Sequence, residues 1–295
     1  MAHLVRVLAK EAGIRGLACI TTDVVEEARQ RHQAEPAATV ALGYGLTAAA
    51  LLGALLKVQQ RVALKVQANG PLEKLVAEGD SYGRVRGYVA HPEIVLPPNV
   101  SPLDTAATLG SIGLLTVVRD LQLKELYESV VPLQTGQLDS DLVYYLTQSE
   151  QSPTLVEIGV KLSPNNELLA TGGLLLETLP GQEVTPLRDL AERLDDLAPV
   201  AELLAAGQTP AQILAQIFGN TPYEVLEERA LRFDCSCSWE RSEQALIAMG
   251  RAELESLIKE GQAVVDCHFC HTRYLFGREA LETILEKLET AESGA

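Results

Sequence analysis

The sequence has no net-basic stretch. Divided before Glu177 and before Leu231, its 295 residues carry 14 basic against 18 acidic groups, then 3 against 10, then 7 against 12, for a formal net charge of −16. A nucleic-acid partner or an anionic membrane surface calls for a cationic face, so neither is expected as a partner. No secretory leader is expected either: Met1–Lys10 alternates apolar and polar residues around Arg6 instead of forming a long apolar stretch. One uncharged run, Ala37–Leu56, reaches 20 residues, long enough to be weighed as a membrane span. It is rich in Ala and Gly, no Trp or Lys/Arg girdle flanks both ends, and strand-like segments lie on either side. Gly45, Ala49 and Gly53 recur every fourth residue and share one helical face, where another backbone can come close. The run reads as a core helix, and the protein as a cytoplasmic one. Enzymatic signatures are also absent. No Ser-His-Asp set or paired carboxylate stands out. Gly172-Gly173 and Gly43-x-Gly45 lack the strand–loop–helix setting of a phosphate loop. His3, His32 and His91 are given no role. The reading is of a non-enzyme.

Apolar residues make up 47% of the chain, enough for an ample core, and its length suits two or three domains. Residues 1–178 mix strand and helix signals and are expected to form an α/β (α+β) core domain. Strands are predicted at Leu4–Leu8, Gly16–Thr21, Arg61–Ala68 and Arg84–Val89. Helices are predicted at Asp23–His32, over the uncharged run, and at Leu72–Glu78 after the break at Asn69-Gly70-Pro71. A second, loosely similar strand–helix–strand unit follows: strands at Leu114–Val118 and Glu128–Gln134, a helix over Asp139–Ser149, and a hairpin of Leu155–Leu162 with Glu167–Glu177. Residues 179–230 read as an all-helical, acidic linker. Thr185-Pro186 and Thr209-Pro210 each place a hydroxyl before a proline as helix starts, and Pro222 is expected to open a last short helix through Glu228. Such helices are held by docking their apolar faces to a neighbour. Residues 231–295 hold four of the five cysteines, three of the four Phe residues and the only Trp. Helices are predicted from Gln244 to Leu257 and from Gly277 to Leu288. A domain this small usually needs a metal, disulfides or a partner.

The cysteines supply that need. Cys235-Ser236-Cys237 and Cys267-His268-Phe269-Cys270 are two close pairs separated by 29 residues. In a reducing cytosol, two such pairs on separate turns are what a four-cysteine zinc site requires. Iron–sulfur clusters generally use other spacings. His268 and His271 could replace a sulfur or lie outside the first coordination sphere, but the four-sulfur set is complete without them. Four sulfurs leave no open position, which argues against zinc catalysis. Metal-held sulfurs are thiolates, the form that oxidants attack, and each pair could close on itself. The spacing permits a redox switch without showing one. Cys19, on an apolar strand, reads as core.

Phe233-Asp234-Cys235-Ser236-Cys237-Ser238 with Val265-Asp266-Cys267-His268-Phe269-Cys270 resembles the zinc-binding pattern of the 33 kDa chaperonins, redox-regulated heat-shock holdases. The likeness extends to Ala12-Gly13-Ile14-Arg15-Gly16, to the Gly-rich Leu42–Gly53 stretch, and to Gly79-Asp80 … Gly83-x-Val85-x-Gly87-Tyr88. The resemblance implies a substrate-binding α/β core domain (1–178), a helical linker (179–230) and a zinc-binding redox domain (231–295). It implies one Zn2+ on Cys235, Cys237, Cys267 and Cys270 in a reduced, poorly active form. Peroxide or hypochlorite with mild unfolding would then produce disulfides Cys235–Cys237 and Cys267–Cys270, zinc release, linker unfolding, dimerisation and ATP-independent capture of unfolding client proteins. Three rivals share features with this reading. A nucleic-acid-binding zinc ribbon conflicts with the acidic tail. A thiol–disulfide oxidoreductase would place Cys-x-x-Cys after an early strand. A purely structural four-cysteine zinc domain with a non-redox binding role is the third.

Overall fold

The computed structural model describes residues 1–293, with side chains through 288. It is a mixed α/β structure that divides into two compact units, Met1–Asp234 and a second that begins at Cys235.

In the first unit, strands β1 (His3–Ala9), β2 (Ile14–Ile20), β8 (Thr154–Leu162), β9 (Leu168–Thr178) and β10 (Glu224–Ala230) form one sheet in the order β10-β1-β2-β9-β8. Strands β3 (Arg61–Ala68), β4 (Lys74–Asp80), β5 (Arg84–Val89), β6 (Gly113–Asp120), β7 (Tyr127–Pro132) and the short β11 (Arg232–Phe233) form the other, in the order β11-β5-β4-β3-β6-β7. All pairings are antiparallel except β11 with β5. Helices α1 (Thr22–His32), α2 (Pro36–Ala54), α3 (Thr105–Leu109) and α4 (Leu138–Gln148) complete the core. The uncharged run is α2, and its residues are almost all buried, as expected for a core helix. It packs on β4 and β5 of one sheet and on β8 and β9 of the other. The close approach read from Gly45, Ala49 and Gly53 is made against β4. A methyl on Gly53 would stand 2.9 Å from the carbonyl oxygen of Asp80, and one on Gly79 would collide with the carbonyl of Ala49.

The first sheet is apolar on both faces. Leu4, Leu17, Cys19 and Leu175 join the core around α2, whereas Val5, Val7, Ile14, Leu174 and Leu176 point the other way. That second face is covered by α5 (Thr185–Asp195), α6 (Val200–Ala205) and α7 (Pro210–Phe218), through Leu187, Leu190, Leu204, Ile213, Ile217 and Phe218. Helix α6 is fastened polar-wise too: the Val200 N–H donates to the Glu157 carboxylate (2.7 Å), and Lys161 pairs with Glu202. Helix α7 starts with the expected Thr209 cap, completed into a box in which Thr209 and Gln212 each accept the other's backbone N–H, and Arg193 donates to the Phe218 carbonyl (2.6 Å) at its end. Thr185 makes no such cap.

Three expectations are corrected. Leu72–Glu78 is not a helix. Lys74–Asp80 is strand β4, whose Leu75, Ala77 and Gly79 point inward in alternation, and the break at Gly70-Pro71 makes a hairpin turn. The paired strand–helix–strand repeat therefore dissolves into an antiparallel meander, β3-β4-β5. The linker is not all-helical, because Pro222–Glu228 gives way to β10. The open edge of β1 takes up the backbone hydrogen bonds of that segment, and the Arg6–Glu227 and Lys10–Glu224 ion pairs fix its register (both 3.0 Å). In the second unit the expected single helix is broken into α8 (Trp239–Met249) and α9 (Arg251–Glu260) by Gly250, whose φ of 90° is left-handed.

Two outcomes are expected. Gly79→Ala should destabilise the first unit by about 1–3 kcal/mol in urea unfolding, because backbone rather than a flexible side chain must move. Gly277→Ala, with open space around it, should cost less than about 0.5 kcal/mol. Burial, followed by the repulsion of Asp139 and Asp195, raises the pKa of Glu157, so its contribution is present at low pH and lost as pH rises through the folded-state pKa. Glu157→Gln keeps an acceptor for Val200 and should flatten that pH dependence without lowering the neutral-pH unfolding midpoint; a lower midpoint would show that the charge itself holds α6.

Candidate metal centre

The second unit contains α8, α9, strands β12 (Gln262–Asp266) and β13 (Arg273–Gly277), and α10 (Arg278–Ser293). Among the described residues its buried core is six side chains: Leu246, Leu254, Ala263, Phe276, Leu281 and Ile284. So small a core provides little burial, and the unit needs another fastening.

Two chain features bring the sulfurs together. Cys235 and Cys237 lie in the extended segment before α8, whose N-cap Ser238 accepts from the Arg241 N–H (3.3 Å), while Arg241 donates to Ser236 Oγ (2.6 Å). Cys267 and Cys270 lie in the turn of the β12–β13 hairpin. There the Cys267 N–H donates to the Thr272 carbonyl (3.0 Å) and the His271 N–H to the Cys267 carbonyl (2.8 Å). The Asp266–Arg273 ion pair (2.9 Å) closes the neck of that turn. The four Sγ atoms lie within 4.8 Å of one another. The shortest separations run between the pairs: 3.6 Å for Cys235–Cys267 and 3.3 Å for Cys237–Cys270. No disulfide joins any of the four. Sulfurs tetrahedral about a zinc at about 2.3 Å would be roughly 3.8 Å apart, so this cluster fits such an ion.

Neighbouring groups act on the sulfurs. Burial is the largest influence on Cys270, but the Thr272 hydroxyl and backbone amide and the Cys237 and Cys267 sulfurs outweigh it, bringing its pKa down to about 7. Cys267 is pushed up, chiefly by burial. The Tyr274 hydroxyl donates to Cys237 Sγ at 3.2 Å. Cys19 is fully buried and pushed up to about 12, an inert core thiol.

The sequence pairs are thus brought to one point. His268 and His271 are exposed on the same turn, and the gathered ligand atoms are all sulfur. The other histidines lie elsewhere: His32 is buried with Nε2 3.1 Å from the Gly87 carbonyl, His91 stands beside Glu73 and Glu93, and His3 lies near the Met1 carbonyl. Sequence reasoning missed Tyr274 and Thr272. The signal available was the alternation of Tyr274 and Phe276 against Ala263 and Val265, which marks a hairpin.

A mixed α/β unit is followed by a small tail whose four clustered cysteines are consistent with a metal site. Residues 2–277 match the family model described as Hsp33 protein. The chain is 44% identical to the 33 kDa chaperonin of Geobacter sulfurreducens, with 97% of this chain and 95% of that protein aligned. It is 39% identical to that of Bacillus licheniformis, over 98% of this chain and all of that one. The crystal structure of the Thermotoga maritima 33 kDa chaperonin superposes with a TM-score of 0.88 at 34% identity, covering 97% of this chain and 98% of that one. The chain belongs to the Hsp33 family of 33 kDa chaperonins, which is non-enzymatic.

Replacing one thiol tests the cluster. Cys267→Ser is expected to lower bound zinc and the thermal midpoint of the second unit with no oxidant present. Full metal content in this variant, measured by a colorimetric chelator, would remove Cys267 from the ligand set.

Proposed function

We propose that this chain is a cytoplasmic, redox-regulated holdase that captures unfolding proteins without ATP. The observation that carries the reading is the four-cysteine cluster in a tail whose buried apolar core, among the described residues, is six side chains, in a chain of the Hsp33 family. Residues 1–178 form the substrate-binding core domain, 179–230 the linker and 231–295 the zinc-binding redox domain. Cys235, Cys237, Cys267 and Cys270 hold one Zn2+ in the resting protein. When bound, that ion keeps the four sulfurs as thiolates and supplies folding energy to the tail.

Oxidation then acts on the chain's own sulfurs. For each pair, one sulfur attacks a peroxide oxygen, the O–O bond breaks and water leaves. The second sulfur displaces the resulting hydroxyl as another water, giving one disulfide. Two thiols thus lose two electrons to one peroxide, and the two pairs consume two. The pairing is within each motif, Cys235–Cys237 and Cys267–Cys270. Cross-pair bridges need the folded tail to hold the sulfurs together, whereas partners one or two residues apart stay close in a loosened chain. With the tail loosened, β10 and α5–α7 lose their anchor further along the chain. Undocking these helices bares Val5, Val7, Ile14, Leu174 and Leu176 on the sheet and the matching leucines and isoleucines on the linker. That apolar surface is where clients bind, and the oxidised form associates as a homodimer.

Peroxide with mild heating is expected to release one zinc per chain and, in the same step, to suppress aggregation of a heat-denatured reporter enzyme, followed by chelator absorbance and light scattering. Retained zinc, or zinc-free protein that suppresses nothing, would falsify the reading.

A further inference from the structure

Tyr274 carries a hydroxyl that neither the tetrathiolate nor the hairpin requires. It stands on β13 opposite Val265 of β12. Its ring meets Trp239 edge-on at a centroid separation of 6.5 Å, and Trp239 in turn packs on Phe276 at 4.1 Å. Phe276 is wholly buried, so the aromatic group is fixed from beneath. The packing holds the Tyr274 hydroxyl 3.2 Å from Cys237 Sγ, and Oη is the donor.

Such a bond bears on reactivity. The lone pair that accepts the phenolic hydrogen also forms the new bond when sulfur attacks an electrophile. Donors outside the first coordination sphere tune the ligands they touch. The bond must weaken as the sulfur's charge is consumed, so it stabilises the resting sulfur more than the reacting one. We propose that Tyr274 is a positioning residue that damps the nucleophilicity of Cys237 and so sets how much oxidant the centre withstands. In the step it restrains, the Cys237 sulfur forms an S–O bond with hydrogen peroxide and the O–O bond breaks with loss of water. Cys235 then displaces the oxygen as a second water to close Cys235–Cys237. The two sulfurs together give up two electrons and hydrogen peroxide, the named oxidant, takes them. The consequence for oxidant tolerance rests on the redox reading above; the effect on sulfur reactivity does not.

The test uses the full-length, zinc-loaded chain and Tyr274→Phe, which keeps the ring against Trp239 and deletes only the hydroxyl. Iodoacetamide labelling of Cys237, resolved by mass spectrometry, should be roughly two- to tenfold faster, the factor one hydrogen bond of ordinary net strength makes. Labelling of Cys267 and the thermal midpoint should not change. In the Co2+-loaded chain, the sulfur-to-metal charge-transfer band should move to lower energy in the variant, and peroxide-driven loss of Cys237 thiol in the zinc form should accelerate by the same factor. Equal Cys237 labelling in the two proteins overturns the proposal. So does a rise at Cys237 matched by one at Cys267 with a lower midpoint, because the tail has then merely loosened. Faster Cys237 labelling in a chain whose parent never becomes a chaperone under peroxide sustains the role of Tyr274 and sinks the redox function instead.

Discussion

Four sulfurs within 4.8 Å of one another are the constraint on which the tail depends. Thiolates that close repel one another, so the arrangement calls for a metal charge at its centre. The six side chains of the second unit's buried apolar core, among the described residues, are too few to hold three helices and a hairpin unaided. The same atoms are thus the fastening and the chemically vulnerable point. A protein whose stability came from a large core could not be released by a change at four atoms.

The linker shows the complementary property. Helices α5 to α7 are short, six to eleven residues, and such helices are marginal in isolation. They persist because the first sheet presents a second apolar face for them to cover. The polar fastenings, Glu157 to Val200, Lys161 to Glu202 and Arg193 to the end of α7, fix position more than they add stability. Beyond them the chain runs through β10 at one sheet's edge and β11 at the other's before Cys235. Strand β10 is an edge strand with Val225 and Leu226 exposed, secured by two ion pairs and one ladder of hydrogen bonds. Low local stability is therefore concentrated in the segment that leads from the apolar first sheet to the four-cysteine tail.

Much of this was legible in the residues, and the failures have physical causes. Strand β3 alternates so cleanly that its limits are those read from the sequence, and the Gly/Ala spacing of α2 announced a close backbone approach, though not that β4 makes it. The β4 segment misled because Gly70-Pro71 carries a helix-start signal that a hairpin turn uses equally well, although Leu75, Ala77 and Gly79 already showed a period of two. Pro222 misled in the same manner, and only the open edge of β1, a tertiary feature, decides for β10. Gly250 sits within an otherwise helical pattern, and nothing local reveals that its φ must be positive. The clustering of the cysteines was legible because two close pairs of that residue type at that spacing suit one tetrahedral site. Tyr274 was not, because its approach to Cys237 is set by hairpin register and by the packing of Trp239 on Phe276.

That difference separates two layers of the centre. The four-cysteine set is encoded locally and would survive many changes in the surrounding chain. The reactivity of each sulfur is encoded by what the fold places beside it: the Thr272 hydroxyl and amide at Cys270, the backbone amides of Phe269 and Cys270 at Cys267, and a phenol at Cys237. Two motifs with the same sulfur count therefore need not respond to oxidant equally. The hairpin pair is embedded in a closed turn that supplies its own donors, whereas the Cys235–Cys237 pair lies in an extended segment and takes a donor from a strand distant in sequence. Loosening the hairpin therefore removes the phenol from Cys237, so disturbance of one pair unmasks the other, and a graded chemical challenge becomes a cooperative structural one.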